Sequence, residues 1–78
     1  MGPLNEKEYF LLLGLARLTR PYGDQIPSAV ARALTERLNL GSLTGVAQDV
    51  ASALVNPSST SPSVATRQAL DLVRSNAL

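Results

Sequence analysis

The segment Tyr9 to Leu18, reading YFLLLGLARL, constrains this chain more than any other part of it. Wound as a helix, it presents one stripe of Tyr9, Leu12, Leu13 and Ala16 and a second of Leu11, Leu15 and Leu18, with Phe10 between them. A helix that is apolar on nearly all sides has to be covered from several directions. Either neighbouring elements of the same chain supply that cover, or a second molecule does.

The ends of this helix are also written in the sequence. Asn5 precedes it with Glu8 three positions on, the pattern of a capping box, and Leu4 and Tyr9 occupy the flanking staple positions. Glu6 and Glu8 fall in the first turn and Arg17 and Arg20 in the last, each sign matching the adjacent pole of the helix dipole. Pro21 ends it, because the residue before a proline avoids helical backbone. The first helix is expected over about residues 5–20.

Three further helices follow from the same kind of punctuation. The second is expected over about 25–40, with Pro27 in its first turn, Ile26, Val30, Ala33, Leu34 and Leu38 inward, and Gly41 as terminator. The third is expected over about 43–55, capped by Ser42 or Thr44. There Leu43, Val46, Ala47, Val50 and Leu54 point inward, and Gly45, Gln48, Asp49 and Ser52 outward. The serine-rich stretch NPSSTSPS, 56–63, reads as a loop. The fourth helix is expected over about 62–75, with Ser61 as cap and Pro62 at its first position; Ala65, Ala69, Leu72 and Val73 face inward and Arg67, Asp71 and Arg74 outward. Strand-like alternation, heptads and internal repeats do not stand out. The expectation is an all-α, compact four-helix domain with short loops, residues 1–78 forming one unit. A domain of this size buries only ~60% of the surface its unfolded chain exposes, so it gains much from a partner.

Composition removes most chemistry. The chain has no cysteine, histidine or tryptophan, so zinc sites, thiol nucleophiles, disulfides and serine–histidine catalysis are ruled out. The carboxylates do not converge: Glu6 and Glu8 point to different faces of one helix, Asp24 stands in a turn, and Asp49 and Asp71 belong to separate helices. Gly41 and Gly45 are followed by no lysine of a phosphate-binding loop. No enzyme, cofactor or metal is expected.

The lead expectation is a non-enzymatic structural or assembly subunit, or a protein-interaction module, that packs through its apolar first helix and self-associates. Tyr9, Leu12, Leu13 and Leu15 would form the interface and Arg17 and Arg20 its polar rim, with Gly14 and Ala16 small enough for another helix to approach. The partner would be a second copy or a larger assembly. The alternative is a small helix-turn-helix DNA-binding protein using helices 25–40 and 43–55, which Gly41-Ser42 would join, with Arg32, Arg37 and Gln48 in contact. Two features oppose it: the net charge is only +1, and the third helix carries Asp49 but no cation. A third reading takes Ser61-Pro62 as a phosphoacceptor in a regulated adaptor; the plainer account is a helix cap and connector.

No targeting segment is expected. The longest apolar stretch is about half the ~20 residues of a membrane span, and acidic Glu6 and Glu8 flank the single lysine where a signal peptide wants positive charge. Glu6 also stands where acylation of Gly2 would need serine or threonine. The expected location is the cytoplasm or the inside of a macromolecular assembly.

Overall fold

The computed structural model describes residues 3–77, which hold four α-helices: α1 Glu6–Thr19, α2 Ser28–Arg37, α3 Gly45–Val55 and α4 Val64–Asn76. Single 3-10 turns at Arg20–Tyr22, Leu40–Ser42 and Pro57–Ser59 join them, and no strand occurs among the described residues. The expected all-α, four-helix class is what forms. Gly2, weighed above as an acylation position, lies outside the described residues.

Local chemistry sets the helix ends. At the start of α1 the capping box is complete. The Asn5 side chain accepts from the Glu8 N–H at 2.8 Å, and the Glu8 carboxylate accepts from the Asn5 N–H at 3.2 Å. α2 starts at Ser28 rather than near Gln25, because Pro27 drives the preceding Ile26 away from helical backbone. It ends at Arg37, and the terminator is Asn39 rather than Gly41: Asn39 takes the left-handed conformation at φ 53, which asparagine tolerates better than most residues. α3 starts at Gly45, whose φ of 60 suits glycine, behind a Thr44 that makes no side-chain cap. α4 is capped by Ser63 instead of Ser61, since the Ser63 hydroxyl reaches the Thr66 N–H at 3.3 Å.

The centre of the molecule is α3. Ala47, Val50, Ala51, Ala53, Leu54 and Val55 are all buried, and the alanines let α1 and α4 close on it from two sides. From α1 come Leu12, Leu13, Leu15 and Ala16; from α4 come Ala69, Leu70 and Val73, with the buried Thr66 hydroxyl held by Ser63 and Asp49. The inward stripe of α4 is therefore Thr66, Ala69, Leu70 and Val73, spaced i, i+3, i+4, i+7, which corrects the expectation for Ala65 and Leu72: both are exposed. α2 stands to one side, against the 40–42 turn and α3. Ala31 is its only buried residue, Ile26, Val30, Leu34 and Leu38 are half-buried, and Ala33 faces solvent.

Candidate interaction surface

The three-helix core covers only one side of α1. On the other side Phe10 is 60% exposed and Leu18 52% exposed, with Gly14 one turn from each. Residues four apart lie nearly above one another on a helix, so Phe10, Gly14 and Leu18 form one strip with a notch at its middle. Apart from its chain neighbours and the helix's own backbone, nothing lies within 4 Å of the position a Gly14 Cβ would take, so the notch is open. Tyr22, 40% exposed in the following 3-10 turn, lies four residues beyond Leu18. The half-buried Tyr9 ring meets Phe10 at a centroid distance of 5.7 Å with planes tilted by 60°. Exposed Glu6 and Lys7 flank one end of the strip and Arg17 the other. A second exposed apolar pair, Val64 and Leu72, lies on the outer face of α4.

The structure distributes the expected interface residues differently from the sequence reading. Leu12 and Leu15 have no exposed surface and Leu13 only 7%; they belong to the intramolecular core because α3 and α4 lie on their side of α1. Tyr9 is half-buried, and Arg17 and Arg20 are exposed. The exposure of Phe10 and Leu18 is what the sequence reading does not pick out, although a signal for it is present. The polar residues Glu6, Lys7, Arg17 and Arg20 mark the solvent arc of the helix; Phe10 falls inside it and Leu18 at its edge, next to Lys7.

The residues of the DNA-binding alternative are not brought together. Arg32 and Arg37 are both exposed on α2 but stand five positions apart, well away from a common face. The Gln48 amide, oriented with its nitrogen toward the acceptors, donates to the carbonyls of Leu40 at 2.6 Å and Leu43 at 3.2 Å, so it secures the 40–42 turn. Residues 38–44 separate α2 from α3, longer than the three or four of a helix-turn-helix, and the would-be recognition helix is the innermost one.

Among the described residues no three acidic side chains group closely enough to hold a metal ion, and no helix is long and apolar enough to cross a membrane. The chain matches no family model, no curated protein and no solved structure.

Proposed function

We propose that this protein is a non-enzymatic assembly subunit that self-associates by pairing the outer face of α1 with the same face of a second copy. The observation that carries this reading is the Phe10–Gly14–Leu18 strip, two large apolar side chains held in water around an open notch. Contact between two such strips is isologous, as in most soluble dimers. Two copies crossing at Gly14 bring their backbones close and set Phe10 of one against Leu18 of the other.

Charge selects the antiparallel arrangement. The first turn of α1 carries Glu6, Lys7 and Glu8, a net negative end, and its last turn carries Arg17. An antiparallel pair sets each acidic end against a basic end and opposes the two helix dipoles; a parallel pair sets like against like. Full burial of a Phe or Leu side chain is worth ~1.5–3 kcal/mol. Phe10 and Leu18 are already about half covered, so four such side chains gain only ~3–7 kcal/mol against the ~4 kcal/mol or more that association costs in lost freedom. The pair is therefore weak on its own and gains strength where many copies meet.

Light scattering behind size exclusion, run over a hundredfold range of concentration, tests the reading. The wild-type mass should rise toward a dimer with concentration. The double variant Phe10→Ser with Leu18→Ser should stay monomeric while keeping its helical circular dichroism. A wild-type monomer at millimolar concentration, or an oligomer indifferent to both substitutions, would sink the proposal.

A further inference from the structure

A groove runs along α4, beneath the turns that follow α1 and α3, on a different part of the surface from the outer strip of α1. It has two lobes. The first, of about 320 Å³, is lined among others by Arg20, Asp24 and Arg74; the second, of about 280 Å³, by Ser58, Arg67 and again Asp24 and Arg74. Three arginines and one aspartate thus line the two adjoining lobes, and each lobe has two of the three arginines, with Asp24 and Arg74 common to both. Among the described residues, the side-chain hydrogen bonds that hold the fold use Asn, Ser, Thr, Gln, Glu and Asp, and no arginine takes part in them.

The helix dipole accounts for part of this cluster only. Arg20 follows the last turn of α1 and Arg74 lies in the last turn of α4, where a cation is favoured. Arg67 lies near the opposite, positive end of α4, just after the Ser63 cap, where a cation gains nothing from the dipole. Its place over the groove is what Arg67 shares with the other two: spaced seven residues from Arg74, it occupies the same side of α4. Guanidinium forks match the oxygens of phosphate in paired hydrogen bonds, which a point-charge lysine does not do.

We propose that this groove binds a small ligand carrying two linked phosphoryl groups. One phosphoryl lies in the first lobe between Arg20 and Arg74, the other in the second lobe between Arg67 and Arg74, where the Ser58 hydroxyl adds a donor. The ligand is small because a long polyanion has no track to follow beyond the groove: the chain's net charge is only +1. Asp24 opposes the anion from both lobes and holds the affinity down, which gives the site a signature that a merely structural arginine cluster lacks.

A ¹H–¹⁵N NMR titration of the full chain with inorganic pyrophosphate, and separately with inorganic phosphate, tests the assignment. Pyrophosphate should give saturable shifts confined to residues near 19–24, 57–62 and 67–77, with a dissociation constant of ~1 mM or below and at least ~10-fold tighter than phosphate. Arg74→Gln should weaken binding by ~10-fold or more and Arg67→Gln by several-fold, Arg32→Gln should change nothing, and Asp24→Asn should tighten it several-fold. All four positions are exposed, so the variants should fold, and circular dichroism checks that they do. Four results would overturn the proposal: no saturation by about 10 mM, shifts spread equally over Arg17, Arg32 and Arg37, wild-type affinity in Arg74→Gln, or equal affinity for phosphate and pyrophosphate. An oligonucleotide that binds more tightly than pyrophosphate, with shifts running outside the groove, would also overturn it in favour of backbone tracking.

Discussion

Gly14 serves the single molecule and the pair in opposite ways. Within a helix interior glycine costs roughly 1 kcal/mol relative to alanine, and nothing at this position would collide with a methyl group. Gly14→Ala should therefore raise the stability of the monomer by up to about 1 kcal/mol in urea melts at low concentration, and at the same time weaken association in light scattering. A more stable protein that associates as before would show that the notch is not where copies meet. Asn39 makes a simpler case. Its left-handed backbone makes Asn39→Val costly by about 1–2 kcal/mol, while Asn39→Gly should be close to neutral. At the start of α1, Asn5→Ala removes the acceptor of the capping box and should lower stability by ~1 kcal/mol. The capping pair could be recognised from the sequence because it is local, a matter of residues three apart. Asn39 is hidden in the sequence because Gly41, two positions on, offers the more familiar stop signal, and only the backbone angle tells the two apart.

The four helices are not equal partners. α1, α3 and α4 interlock, whereas α2 contributes one buried alanine and several half-buried side chains. Leu15→Ala or Leu54→Ala should cost ~2–5 kcal/mol, and Leu34→Ala clearly less, because its site is already part-solvated. Native-state hydrogen exchange should show α2 amides opening at lower free energy than those of α3; equal protection would contradict the peripheral placement. This hierarchy was hidden in the sequence, while the number and class of the helices were not. Apolar spacing reports that a helix has an inner face, and Pro21, Asn56-Pro57 and the caps report where it stops. Spacing does not report which helix is innermost. The bulkiest helix is α1, yet the centre is α3, whose alanines allow two neighbours to close in. The candidate contact residues moved for the same reason: once α3 and α4 claim Leu12, Leu13 and Leu15, the large apolar side chains left exposed for a partner are Phe10 and Leu18 on that helix and Tyr22 in the turn after it.

At the scale of the whole molecule, the Cα radius of gyration is 11.1 Å, close to the ~11.5 Å that size scaling gives for a compact chain of this length. The same scaling gives about 15 Å for a compact pair. Small-angle scattering should therefore rise from the first value toward the second with concentration, and the Phe10→Ser, Leu18→Ser variant should hold at the lower one. The core behind these dimensions is closed from both ends of the chain, since Leu4 and Ala77 are both buried and α1 packs directly on α4. A ribosome adds only ~5–20 residues per second. The leucines of α1 thus emerge seconds before the helices that cover them have been made, and for that interval the surface they form is open to other contacts.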